Sequence, residues 1–267
     1  IPWTDGIFDP NVKSMSQFRE RMLKVTYQDK VYWLSPFQRY MPANMTDWAA
    51  RGCQVLTLGD EFGTVEVIPM DEHTDNTSSR SATVQFFPEK GIANISLTHT
   101  CDPYESYELR TILNGSQVED ERIERLANGL PELYANGADF LSMSYENLSE
   151  LSEPLVLKLN YTIPYEFDEI DDQYLLDFPG LQKHTQNPFA SGNRNGKICF
   201  NYSYDRTQEI TYIIPEGFSV VSIPENSDSK NDFMSFKIQY ERINDSKIKV
   251  SIPENSDSKN DFMSFKI

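Results

Sequence analysis

The sequence predicts a mainly β protein, an antiparallel β-sandwich with a two-helix insert at about residues 102–130. Three observations predict it. Most of the chain alternates apolar and polar residues with the two-residue period of half-buried strands. Turn-forming clusters separate these stretches at short intervals, and only one region changes to a helical period. Many short strands at such spacing suit a sandwich.

The first element is a hairpin within "FRERMLKVTYQDKVYWLSP" (18–36), where two β-prone runs flank the polar break Tyr27-Gln28-Asp29-Lys30. A lone hairpin is marginal in water, so it must pack on something else. Strands follow at 64–69, 81–87, 92–99, 155–163, 197–204, 208–214 and 234–241. The last is the clearest, with Met234, Phe236, Ile238 and Tyr240 on one face, and a return strand runs from Lys247 to Ile252. Glu89-Lys90-Gly91, Pro215-Glu216-Gly217 and Asn244-Asp245-Ser246 supply turns. Within the insert, Asp102 reads as an N-cap, Pro103 as the first helical residue and Glu105 as part of the first turn, with the helix ending near Leu113. Ser116 and Glu119 have capping-box spacing for a second helix, which buries Ile123, Leu126, Ala127 and Leu130 on one stripe. Residues 166–172 read as an acidic loop. The expected organisation is 1–58, a partial α+β segment holding all three tryptophans; 59–252, the sandwich; and 253–267, a duplicated segment.

Composition narrows the function classes. Aromatic content of 12% and hydrophobic content of 39% mark a globular chain. A formal charge of −17 with no basic cluster argues against nucleic acid. No apolar run approaches the roughly 18 residues of a membrane span.

The three cysteines, Cys53, Cys101 and Cys199, have no CxxC spacing and read as buried apolar residues. His73, His99 and His184 lack metal-ligand spacing and read as polar surface residues at loops or strand ends. The acidic groups Asp71, Glu72, His73, Asp75 and Asp168, Glu169, Asp171, Asp172 lack the glycine-punctuated pattern of a calcium loop and read as solvated surface. Phe200, Tyr202 and Tyr204 share one strand face, which suits either a core or a sugar platform. There is no GxSxG, P-loop, GxGxxG or HExxH. The sequence therefore assigns no catalytic, cofactor-binding or metal residue and no cofactor.

The stretch 18–36 resembles the late part of the transglutaminase-like fold in a group of bacterial exported proteins. The family pattern is Phe-Asn-His, a hairpin, then Trp-Leu-Asp-Pro; this chain matches at Phe18, the hairpin, Trp33-Leu34 and Pro36. The likeness continues through "IPMDEHTDN", "YESYELR", "NPFASGNRNGKICF" and "YIIPEGFSVVSIPE", which resemble the β-rich C-terminal flanking domain, with an Arg-Pro-Ile-like step at Arg194 to Ile198 and a Pro-x-Gly turn at 215–217. It spans roughly 15–250. The family's His falls near Glu20 and its Asp on Ser35. A carboxylate with a pKa of about 4 is too weak a base for a thiol near about 8.5.

The resemblance thus implies a non-catalytic binding or scaffolding portion, secreted or periplasmic, meeting protein or glycan at the cell envelope. Two alternatives stand beside it. One is the C-terminal part of an active cysteine peptide hydrolase or acyltransferase with its nucleophile upstream; the other is a glycan-binding sandwich. Finally, "VSIPENSDSKNDFMSFKI" occurs unchanged at 221–238 and 250–267. The first copy is expected to be the structural one. The second is expected to be dispensable from residue 253, with Phe262 to Ile267 adding as an edge strand to its own sheet or a neighbouring molecule's.

Overall fold

The computed structural model describes residues 9–12, 14–18, 20–59, 63–70, 72–129, 137–170, 173–176, 178–179, 201–231 and 234–256. Their order is β1 (Leu23–Tyr27), β2 (Lys30–Leu34), β3 (Gln54–Leu58), β4 (Gly63–Val67), β5 (Thr77–Phe87), β6 (Ile92–Thr100), α1 (Pro103–Leu113) and α2 (Glu119–Gly129). Then come β7 (Asp139–Glu146), β8 (Val156–Pro164), β9 (Asp168–Ile170), β10 (Gln173–Leu175), β11 (Tyr204–Ile213), β12 (Ser227–Lys230), β13 (Met234–Asn244) and β14 (Lys247–Ser256).

The fold is mainly β and sandwich-like, as the alternation predicts. One sheet holds eight strands in the order β12-β13-β14-β11-β5-β6-β8-β7. It consists of two antiparallel halves, 77–164 and 204–256, joined where β11 runs parallel to β5. Parallel pairing requires a long crossover, and the β6–β8 half with its helices supplies it. Three two-stranded hairpins, β1-β2, β3-β4 and β9-β10, lie outside this sheet.

The core lies on one face of the sheet. Val84, Phe86, Ile95, Leu157, Leu159, Ile210, Tyr212, Val250 and Ile252 are buried there, with Leu109, Leu113 and Leu126 of the helices. Burying each such side chain contributes about 1.5–3 kcal/mol, so the alternation in β5, β6 and β8 specifies their register. The caps of α1 are those expected. Asp102 Oδ1 accepts the Glu105 N–H at 2.8 Å, and Glu105 Oε2 accepts the Asp102 N–H at 3.2 Å. Ser116 accepts the Val118 N–H at 3.0 Å, but its hydroxyl pairs with Glu121 rather than Glu119. Buried Arg110 donates from Nη2 to the carbonyls of Asn147, Glu150 and Glu153 at 2.9, 2.9 and 2.7 Å, fixing the β7–β8 loop against α1.

The N-terminal hairpin forms over 23–34. Its two-residue turn places Gln28 and Asp29 at φ of 48° and 62°, the left-handed geometry that matches strand twist. It packs through Trp33, which is buried with Ala50 and Ile68. Lys24 Nζ reaches Glu66 Oε2 on β4. The boundary expected at 58/59 therefore falls inside the β3–β4 hairpin, whose strands pair from Gln54↔Val67 to Leu58↔Gly63. Trp3 lies outside the described residues.

Three expectations are corrected. The strand expected at 197–204 is irregular over 201–203 and begins only at Tyr204, while 197–200 lie outside the described residues. The segment 166–172 is not simply a loop, since Asp168–Ile170 pairs with Gln173–Leu175. The sandwich also does not end at 252, because β14 continues to Ser256 between β11 and β13. Identical sequence takes two forms here: VSIPEN is irregular at 221–226 and central strand at 250–255. On the β13 side the β14 register passes from Phe236↔Glu254 to Gln239↔Ser251, and the interruption falls at Pro253, which has no N–H to donate. The expected edge strand at Phe262 to Ile267 lies outside the described residues.

Candidate functional site

The core face of the sheet changes from apolar to polar at one end. Strand alternation carries Arg80 onto the face of Ala82, Val84 and Phe86, and His99 onto that of Ala93, Ile95 and Leu97. Register sets Arg80 opposite His99 on one side and Gln208 on the other. All three are buried. The link from β6 into α1 adds Cys101 and the N-cap Asp102, the first turn of α1 adds Glu105, and β11 adds Arg206.

His99, Asp102, Glu105 and Arg206 form one network of hydrogen bonds and ion pairs. His99 Nε2 lies 3.2 Å from Glu105 Oε2, and the Arg206 guanidinium lies 3.5 Å from Glu105 Oε1 and 3.8 Å from Asp102 Oδ2. The Tyr202 hydroxyl donates to Asp102 Oδ2 at 3.3 Å, and its ring stacks on Tyr104 with centroids 4.4 Å apart. Arg206 lies over the Tyr204 ring at 4.1 Å, and Tyr204 donates to Glu254 at 2.6 Å. The tyrosine rings of the proposed sugar platform are thus occupied by protein contacts; Phe200 lies outside the described residues.

Burial and pairing set the protonation states. Burial holds the His99 imidazole below its ordinary pKa, partly offset by Glu105, so the neutral ring donates from Nε2 to Glu105. Burial also works against ionised Glu105, but the His99 hydrogen bond and Arg206 outweigh it and hold this carboxyl down at about 2. Burial, with the Glu105 charge beside it, pushes Asp102 up to about 7. Burial first, then Glu105 and Asp102, pushes the Cys101 thiol well above its ordinary range. A nucleophilic cysteine requires the opposite shift. The arrangement orders charge around α1 and presents a thiol, an imidazole and a carboxylate together, with donor atoms of His99, Cys101 and Glu105 all within 4.8 Å of one another.

This corrects the reading of His99 as a surface residue, because it is fully buried. The missed signal was parity: His99 shares the odd-numbered set of Ala93, Ile95 and Leu97, and Arg80 the even-numbered set of Ala82, Val84 and Phe86. Other candidates do not converge here. Cys53 is buried and donates from Sγ to the Ala49 carbonyl at 3.1 Å. His73 is half-buried in a short turn where Glu72 and Asp75 cap one another. Glu20 is exposed, and Ser35 follows β2 half-buried. Cys199, His184, Asp71, Asp171 and Asp172 lie outside the described residues.

A family described as a domain of unknown function with solved structure, DUF3858, matches residues 171–255. The match covers the β11–β14 half of the sheet, including Arg206, Tyr202 and Tyr204, and leaves His99, Cys101 and Glu105 outside it. No curated protein matches the chain. No solved structure matches it.

Proposed function

We propose that this chain is a non-catalytic binding or scaffolding portion of an exported, secreted or periplasmic transglutaminase-like protein, meeting protein or glycan at the cell envelope. The observation that carries this reading is the apolar outer face of the N-terminal hairpin. Leu23, Val25 and Tyr27 share one face of β1 and are all exposed. Beside them is a hollow of about 600 Å³ lined by Val25, Tyr32, Leu34, Pro42 and Leu151. Clustered exposed apolar residues of this kind mark interaction surfaces, and a transglutaminase-like core is the neighbour that the resemblance at 18–36 implies. The described cysteines support the non-catalytic part, since both are buried and Cys101 is held in its neutral form. Among the described residues no helix is long and apolar enough to cross a membrane.

The test has two arms. The purified chain should neither hydrolyse a fluorogenic peptide nor incorporate a fluorescent amine into casein; activity abolished by thiol alkylation would overturn the non-catalytic reading. Leu23→Glu with Val25→Glu, on one exposed face of β1, should lower binding of an apolar dye while leaving the melting temperature in place. Unchanged dye binding would remove the docking surface from the argument.

A further inference from the structure

The buried cluster at the start of α1 does more than cap a helix. His99, Cys101 and Glu105 offer one nitrogen, one sulfur and one oxygen donor within 4.8 Å of one another, from the end of β6, the link that follows it and the first turn of α1. We infer that these three side chains form a binding site for a borderline-soft divalent cation, for which Zn2+ fits the donor set best. Bonds of about 2.0 Å to nitrogen and oxygen and about 2.3 Å to sulfur set tetrahedral ligands roughly 3.3–3.5 Å apart. His99 Nε2 and Glu105 Oε2, 3.2 Å apart, already stand near that spacing.

The surroundings fit the role. The Cys101 backbone N–H is anchored to the Leu155 carbonyl at 2.9 Å, and the capping box fixes the start of α1. Glu105 turns Oε2 toward His99 and Oε1 toward Arg206, so an outer partner already orients the carboxylate. Cys101 also borders a cleft of about 410 Å³ lined by Met45, Asn76, Pro103 and Ser106, which supplies an entry path. Binding replaces the His99–Glu105 hydrogen bond and the thiol proton: the neutral imidazole shifts its proton from Nε2 to Nδ1 by exchange with solvent, which frees the Nε2 lone pair for the metal, while the S–H bond breaks, its proton passes to buffer, and the sulfur electron pair forms the metal bond. The charges of Arg80 and Arg206 oppose the cation, whereas Asp102 and Glu105 offset them. Affinity should therefore lie below that of a four-ligand structural zinc site and fall as pH is lowered.

Co2+ titration of the full chain tests this. Because the chain has three cysteines, the double variant Cys53→Ser, Cys199→Ser keeps Cys101 as its sole thiol. That variant and the wild type should bind one equivalent of Co2+ with a thiolate-to-cobalt charge-transfer band that Zn2+ abolishes. Glu105→Gln should weaken binding by at least about tenfold, the lower end of the effect of losing even an outer partner. Cys101→Ser should remove the band. Absence of the band in wild type, its loss in the double variant, or its persistence in Cys101→Ser would each overturn the assignment. The double variant does not depend on Cys101→Ser folding.

Discussion

Tyr204 donates its hydroxyl to Glu254 at 2.6 Å, across a ladder in which Arg206 pairs with Glu254 and Tyr204 with Ser256. The bond ties the opening residues of β11 to the last turn of sequence in β14. It also places residues 253–256, part of the second identical segment, inside the sheet.

Chains ending at 256 and at 252 should therefore melt differently. The shorter one loses the partners of Tyr204 to Thr207 on β11 and of Met234 to Phe236 on β13. Net backbone hydrogen bonds contribute about 0.5–1.5 kcal/mol each, and a domain of this size shifts by about 2–4 °C per kcal/mol. A drop of about 5–10 °C is expected by calorimetry; coincident transitions would show that 253–256 is dispensable after all.

Arg110→Met should destabilise the chain by about 2–4 kcal/mol in urea unfolding, because three loop carbonyls lose their donor together. Arg110→Lys should recover only part of this, since all three bonds leave Nη2 and the lysine chain ends one bond short of that atom. Equal losses for both variants would mean that packing, not hydrogen bonding, is what Arg110 supplies.

Tyr161 sits in the core, 2% exposed, with its ring 5.5 Å from that of Phe140. Burial pushes its hydroxyl up to about 12. The folded state thus holds its proton where the unfolded chain, near about 10, releases it. Its contribution is complete below pH about 10 and is lost as pH rises toward about 12, an expected fall of about 2–3 kcal/mol. Tyr161→Phe should flatten the alkaline limb of a stability–pH profile; an unchanged limb would assign it to other groups.

Gly91 adopts φ of +63° after β5, and the nearest atom to an added Cβ is the Tyr165 carbonyl oxygen at 3.9 Å. With space available, Gly91→Ala should cost about 1–2 kcal/mol through backbone strain alone. Gly91→Asn should cost less, since Asn enters this region more readily. A loss well beyond that in chemical denaturation would point to a packing role at this turn.

The sequence by itself determined the period of β5, β6, β8, β11 and β13, the N-cap of α1, the N-terminal hairpin and the two-helix insert, because these rest on neighbours within a few residues; it predicted no strand for β7, whose side chains alternate less sharply. It also carried the parity that buries Arg80 and His99, although a charged residue on an apolar face is easily read as a strand end. Tertiary structure alone decided which strands are neighbours. Setting Arg80 between His99 and Gln208 depends on β5 pairing with both β6 and β11, strands separated by more than a hundred residues. The repeated VSIPEN shows the reason most directly: at 250–255 it lies between β11 and β13, and at 221–226 it has no ladder. Its local preference is the same in both places. A strand needs partner strands to satisfy its backbone hydrogen bonds and a covered face to bury its side chains, and neither is encoded in the six residues themselves.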